Sequence, residues 1–361
     1  MNSLARRLTG GLKLEIIRPE DDPEWDRFVH QHPLGWLYHL SAWQRVLESS
    51  YPHIRGQILA LYSADGRTLR AALPLYEVRS RLCGHRRVSV PFATRCDPLV
   101  GNAEEFSLLL DAVLDQSSRE RAARFRISVS SDSPWLRDPR LQRQIRHTGH
   151  VIFLDRHPEE LLYRMHKNAV RRPLKKAAAS GLRIEEAQGE SDLGVFYQLY
   201  VRTRRRLGLP PQPYEFLSSI WRELGASGLA QLLLARLERR TVAGTLLLKY
   251  KDRVLAEIGA ADPRLPSLPA QHLLDWHAIN MANREGYRYY DLGRCSIQNP
   301  GLALFKRRWG SVEIPLPVHT YNEREKVSQW STIYRGGRRL CRLLPLQILE
   351  ICGRFCYRHM G

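Results

Sequence analysis

The chain has 361 residues, 43% of them hydrophobic, which suffices to bury the cores of two domains rather than one. A formal net charge of +19 and a pI near 10.0 exclude an acidic surface and leave nucleic acid, phosphorylated substrates and anionic membranes as partners. No run of about 18 apolar residues is present to span a bilayer, and no apolar signal-peptide core opens the chain.

Six cysteines (Cys83, Cys96, Cys295, Cys341, Cys352 and Cys356) form neither CxxC nor a zinc spacing. A reduced, cytoplasmic protein without a metal, soluble or peripheral on the inner face of the membrane, is therefore expected.

In chain order, Lys13 to Ile17 predicts a strand and "DDPEW" the entry to a helix. Two apolar runs flank Asp65-Gly66 between Gly56 and Val78, a hairpin signal. "RRVSVPFA" adds a strand, "AEEFSLLLDAVLDQ" has helical leucine spacing, and "RFRISVS" follows as a strand. The second half repeats this order. "DLGVFYQLYVRTRRRLG" and "PYEFLSSIWRELG" predict helices closed by glycine. Strands then turn near Glu238–Arg240 and again near Lys251–Arg253. "PAQHLLDWHAINMANREG" is a helix entered at Pro269 and capped at Gly286, and "YRYYDLG" is the strand after it. Hairpin, helix, strand thus occurs twice, about 170 residues apart. The expected architecture is two similar α/β domains at 1–150 and 151–330, with a junction near His150 and a basic tail at 331–361.

Two basic segments interrupt this plan. In "HPEELLYRMHKNAVRRPLKKAAASG", Arg164, Lys167, Arg171 and Lys175 recur at helical spacing and stack on one face, with a kink or break at Pro173. A phosphate or nucleic-acid rail and a solvated helix face are both open readings. The tail from Tyr334 to Gly361 holds six arginines and one glutamate around a Leu/Ile/Phe face. That pattern suits a helix lying on an anionic membrane surface, and docking onto the protein's own core explains it equally. No helix-turn-helix or zinc-finger pattern points to sequence-specific DNA.

The stretch Pro269 to Gly310 resembles the FemABX-type peptidyltransferases, particularly their relatives in exopolysaccharide and PEP-CTERM gene clusters. The matching residues are Leu273, Leu274, Trp276, Gly286, Tyr287, Tyr290, Asp291, Leu292, Gly293, Gly301, Leu302, Phe305, Lys306, Trp309 and Gly310. The basic helix, "DLGVFYQLYVRTRRRLGLPPQPYEF" and the ending "RRLCRLLPLQILEICGRFCYR" are similar as well. The resemblance implies two tandem GNAT-like domains, each a mixed twisted sheet flanked by helices, plus a C-terminal basic amphipathic helix. It also implies acyl or aminoacyl transfer to an amine or hydroxyl of a phosphate-bearing envelope or polysaccharide precursor. The donor would be acyl-CoA or aminoacyl-tRNA, with no covalent cofactor. Two departures from the family stand out. There is no long helical arm, and "ADPRLPSLPAQ" sits where an Arg/Gln-x-x-Gly-x-Gly/Ala phosphate loop would open its helix. A tRNA-dependent peptidoglycan-type transferase and a non-catalytic membrane-surface partner in polysaccharide export remain as alternatives.

Acyl transfer needs a positive group where the carbonyl oxygen becomes an oxyanion, and no GxSxG elbow supplies a triad. Lys306 matches the family's Phe-Lys position as that group; in isolation it would be a surface charge. Asp291 either orients or deprotonates the acceptor, or pairs with Arg294 for structure. Arg294 suits bidentate phosphate binding, and Arg171, Lys175 and Arg204 are further substrate contacts. Tyr290 is a substrate-binding candidate, yet it alternates with Asp291 along the strand and is the better core residue of the two. His272 and His277 lie on a largely apolar helix and suit satisfied core positions.

Overall fold

A computed structural model describes residues 6–7, 11–80, 84–119, 124–130, 134–322 and 336–359. Cys83 and the head of the tail, 331–335, lie outside the described residues. The chain divides into two compact units: Met1–Arg146 with Pro315–Glu325 and Arg358–Gly361, and His147–Ile314 with Lys326–Tyr357.

The first unit opens with β1 (Arg6–Arg7), β2 (Lys13–Ile17), α1 (Trp25–Gln31) and α2 (Ser41–Ser50). It continues through β3 (Ile54–Tyr62), β4 (Leu69–Ser80), β5 (Gly84–Val88), α3 (Ala103–Arg119) and β6 (Arg124–Ser128). Strands β1 to β5 pair antiparallel in sequence order, and β5 pairs β6 in parallel across the α3 crossover. Phe106, Leu109, Leu110 and Val113 of α3 bury against Leu59, Leu73, Phe125 and Ile127.

The chain crosses between units inside β7 (Gln142–Phe153). The boundary falls between Arg146 and His147, within that strand. The second unit follows with α4 (Pro158–Arg164), a π-turn (Lys167–Arg171), α5 (Arg172–Ala178) and β8 (Leu182–Glu186). Next come α6 (Glu190–Leu207), α7 (Tyr214–Leu224), β9 (Ala230–Leu237), β10 (Arg240–Tyr250) and β11 (Arg253–Ala261). Then follow α8 (Ala270–Arg284), β12 (Tyr289–Ser296), α9 (Pro300–Arg308) and β13 (Val312–Tyr321). Two tail helices close the described chain, α10 (336–343) and α11 (Leu346–His359).

Strands β8 to β11 pair antiparallel in order, β11 pairs β12 in parallel across α8, and β12 pairs β7 antiparallel. The order β8-α6-α7-β9-β10-β11-α8-β12 repeats β2-α1-α2-β3-β4-β5-α3-β6, down to the single parallel pair around the crossover helix. Leu274, Ala278, Ile279 and Ala282 of α8 pack with Leu233, Ala243, Leu247, Val254, Tyr290 and Trp309.

The basic helix is not one continuous face. Met165 and His166 leave helical geometry, and the His166 side chain accepts from the N–H groups of Asn168 and Ala169 to start the π-turn. Arg164 thus stands on α4, apart from Lys167, Arg171 and Lys175. Pro173 has no N–H for the Ala169 carbonyl four residues back, and His272 supplies the missing donor from Nε2 at 3.1 Å. The wider turn and the proline are two sides of one irregularity.

Candidate active site

Pairing of β11 with β12 covers only Arg253↔Tyr289, Val254↔Tyr290 and Leu255↔Asp291. Beyond Asp291 the register of β12 against β7 shifts up to Arg294, and Gly293 sits at φ +76°, where only glycine is unstrained. A bulge at the point where two parallel strands part exposes main-chain polar groups in a sheet interior.

Lys306 fills that point. It lies on α9, whose N-cap Asn299 accepts from the Leu302 N–H at 3.2 Å. Phe305 and Trp309 pack edge-on and tilted against the His272 ring, which turns Lys306 inward. Only 6% of Lys306 is exposed, so it is no surface charge. Its Nζ donates to the carbonyl oxygens of Gly293 and Arg294, each at 2.9 Å. Burial brings its pKa down to about 8, against the opposing pull of Cys295 and Asp291. Two of the three ammonium N–H groups are thereby fixed, and the third has no partner among the described residues.

Asp291 is buried beside it. Its carboxylate accepts from the Gly293 N–H at 2.8 Å and pairs with Arg253 Nη1 at 3.2 Å. Arg253, the first residue of β11, is thus an ion-pair partner of Asp291, where the sequence offered Arg294. Arg294 is exposed. His150, fully buried between Thr148 and Ser311, is a neighbour that sequence reading missed as a side chain. Burial first, then the Lys306 charge, lower its pKa.

The other candidates divide. Tyr290 is 0% exposed and its hydroxyl has no partner, so it belongs to the scaffold rather than to a substrate contact. Arg204 donates through Nε and Nη2 to the Pro210 carbonyl and through Nη2 to the Tyr357 hydroxyl, bracing α6 against α11. Its role in this arrangement is structural. Both Arg204 and Arg294 act electrostatically on Tyr357, although burial dominates and raises the phenol's pKa. Arg171 lies over the Tyr163 ring at 5.3 Å, half-buried, while Lys175 is exposed on α5. The π-turn adjoins α9, since the His166 N–H donates to the Arg308 carbonyl at 2.9 Å.

A CoA pyrophosphate would need free amides before α8. Pro263, Pro266 and Pro269 have none. The N–H groups of Arg264, Leu265, Leu268 and Ala270 are all donated within the loop. Three prolines and four occupied amides leave few N–H groups in this segment for a phosphate cradle.

In the first unit, His39, Cys96 and Asp97 cluster without forming a nucleophile. The Trp36 N–H donates to His39 Nδ1 at 3.0 Å, so the ring proton is on Nε2, facing the Asp97 carbonyl at 2.8 Å. Burial pushes the Cys96 thiol well above its usual range. Among the described residues no His/Cys/Asp/Glu group can hold a metal, and no helix is long and apolar enough to cross a membrane.

Residues 164–307 match the family model described as an acetyltransferase (GNAT) domain. The matched stretch, within the second unit, is thus similar to a GNAT acyltransferase domain. This match runs from the end of α4 into α9 and ends one residue beyond Lys306. No curated protein matches the sequence. The crystal structure of FemX is similar at TM-score 0.68 and 16% identity, covering 89% of this chain and 98% of that one. L-PGS from Bacillus licheniformis is similar at 0.57 and 16%, covering 88% and 96%. A tandem GNAT protein from the clavulanic acid biosynthesis pathway is similar at 0.56 and 13%, covering 87% and 100%. At these identities the likeness is one of fold, and the fold is a tandem GNAT arrangement with a C-terminal amphipathic helix.

Proposed function

We propose that the second domain, read at 151–330, transfers an acyl or aminoacyl group to an amine or hydroxyl of a phosphate-bearing cell-envelope or exopolysaccharide precursor. The precursor class is the one implied by the resemblance to proteins of exopolysaccharide and PEP-CTERM clusters. The protein would work in the cytoplasm, peripheral to the inner face of the membrane. One observation carries the reading: a buried lysine, two of its N–H groups tied to a strand bulge, sits where β11 and β12 part.

In this scheme the acceptor nitrogen or oxygen attacks the donor carbonyl carbon, forming the new C–N or C–O bond. The carbonyl π electrons move to oxygen, and the remaining Lys306 N–H stabilises that oxyanion. Collapse expels the donor's alcohol or thiol, which takes up the proton released by the acceptor. Asp291 holds the bulge through Gly293 and Arg253, and Arg294 on the exposed side is placed for the substrate's phosphate.

Three prolines and four occupied amides in the loop before α8 favour aminoacyl-tRNA over acyl-CoA as donor. The test incubates wild type and Lys306→Ala with a precursor pool and either charged tRNA or acyl-CoA, with and without ribonuclease. Products are read by mass spectrometry. Ribonuclease-sensitive product with wild type and little with Lys306→Ala is expected. Equal product from both proteins removes Lys306 from the mechanism, and ribonuclease-resistant product removes tRNA.

A further inference from the structure

The two tail helices divide their apolar residues between two destinations. Leu349 and Gly353 of α11, four apart, are buried. A side chain at Gly353 would collide with the Pro211 carbonyl at 2.3 Å, and Tyr357 one turn on meets Arg204. This face is docked on the second unit. The sequence left a choice between core docking and membrane contact, and α11 has an apolar face for each.

Ile348, Ile351 and Phe355 lie at the i, i+3, i+7 spacing that forms one line on the opposite side of the helix. Ile351 is 65% and Phe355 57% exposed. On α10, Leu340 is 58% and Leu343 82% exposed, while Arg338 turns inward to the Leu207 carbonyl at 2.9 Å. Five of the exposed large hydrophobic side chains of the described chain therefore lie between residues 340 and 355.

The charges on these two helices are nearly all of one sign. Arg339, Arg342 and Arg354 are exposed on the same two helices, Arg354 also pairing with Glu215 of α7 at 3.0 Å. The sole carboxylate there, Glu350, is half-buried, and burial raises its pKa. A water-facing helix would carry mixed charges and no such apolar line. A protein partner large enough to cover the leucines and isoleucines would have to match the arginines with only Glu215, already paired, and the half-buried Glu350 to set register. An anionic bilayer meets both demands, taking the apolar side chains at the acyl boundary and the arginines at the phosphates.

We infer that the outward face of α10 and α11, formed by Leu340, Leu343, Ile348, Ile351 and Phe355 with Arg339, Arg342 and Arg354, docks on an anionic lipid surface. This deepens the peripheral-membrane part of the proposed function and is independent of the acyl-transfer chemistry. Loss of vesicle binding would leave product formation from soluble substrates standing.

The experiment floats the full chain with vesicles of phosphatidylcholine alone or with phosphatidylglycerol added, at low and high salt. Binding to the phosphatidylglycerol vesicles, weakened by salt, is expected. Ile351→Glu with Phe355→Glu should lower the bound fraction about tenfold at an unchanged melting temperature, because both side chains are exposed. Arg339→Gln with Arg342→Gln should remove most of the salt dependence. Absence of binding, equal binding of the glutamate variant, or equal binding to neutral vesicles overturns the inference. So does a wild-type dimer in light scattering that the glutamate variant converts to monomer, which would make a second copy the occupant.

Discussion

Lys306 reaches back along the chain to place its Nζ 2.9 Å from the Gly293 carbonyl, at the residue whose left-handed conformation creates the β12 bulge. The bulged loop and the buried cation hold one another. As an oxyanion stabiliser the lysine acts in its charged form, which burial confines to pH below about 8. Transfer should fall as pH rises through that value. Lys306→Ala should lower the rate by roughly 10²–10³ and abolish this limb of the profile. The sign for stability is opposite. The folded pKa lies below the unfolded 10.5, so between about 8 and 10.5 the unfolded chain holds more protons and stability rises with pH. Melting temperatures of wild type and Lys306→Met across this window should converge in the wild type's favour, and parallel curves would contradict the buried, charged assignment.

Asp291 and Arg253 form a pair that only the parallel register of β11 and β12 can assemble. Both side chains are largely withdrawn from water, so removing one partner takes a counter-charge from the other. Asp291→Ala should cost about 3–5 kcal/mol in urea denaturation. Asp291→Asn keeps an acceptor for the Gly293 N–H and should cost less. A double-mutant cycle with Arg253→Met should show coupling of about 1 kcal/mol or more. If Asp291→Asn melts like wild type yet loses activity, the carboxylate acts on the acceptor as well as on the fold.

His272 and Ala169 make a third testable link. The imidazole replaces the donor that Pro173 lacks, and burial lowers its pKa, keeping the ring neutral. His272→Ala would leave the Ala169 carbonyl without its donor and open space beside Phe305 and Trp309. A loss of about 1–3 kcal/mol is expected. Pro173→Ala in the same background should restore part of it by returning an N–H to that carbonyl, and the absence of any rescue would sever the proposed link.

Much of this architecture was legible. The hairpin at Asp65-Gly66, the α8 helix from Pro269 to Gly286 and the twofold element order all follow from local spacing and turn residues. The strands β7 and β13 were not read. Polar residues and Gly149 blur the alternation of β7, and Pro315 and Pro317 argue against a strand at β13. Those prolines precede Val318–Tyr321, the segment of β13 that pairs with β6. In the site, Lys306-Arg307-Arg308 looks like a solvated charge run. Lysine burial is decided by Phe305 and Trp309 stacking on His272, a contact set by tertiary packing rather than by pattern. The Asp291–Arg253 pair likewise joins residues 38 apart, beyond the reach of any local rule.

Asp275 tests the electrostatics of the core behind the site. It is buried on α8, where the Gln271 side-chain nitrogen donates to its carboxyl at 2.8 Å and also to the Thr245 hydroxyl at 2.8 Å. Burial raises its pKa to about 7, with the Gln271 bond opposing. A raised carboxyl pKa means that the folded state holds its proton more tightly than the unfolded chain. Stability from this group is complete below about pH 4 and is lost as pH rises through 7. Asp275→Asn removes the titration, so its advantage over wild type should grow from pH 4 to 7 and then level off, reaching at most about 4 kcal/mol. The nearby Tyr290 hydroxyl, buried without a partner, predicts that Tyr290→Phe is neutral or stabilising. Urea denaturation of wild type and both variants at pH 5, 6, 7 and 8 decides the matter. A pH-independent gap between wild type and Asp275→Asn would show that the carboxyl is already ionised in the fold, and a destabilised Tyr290→Phe would show that its hydroxyl has found an acceptor.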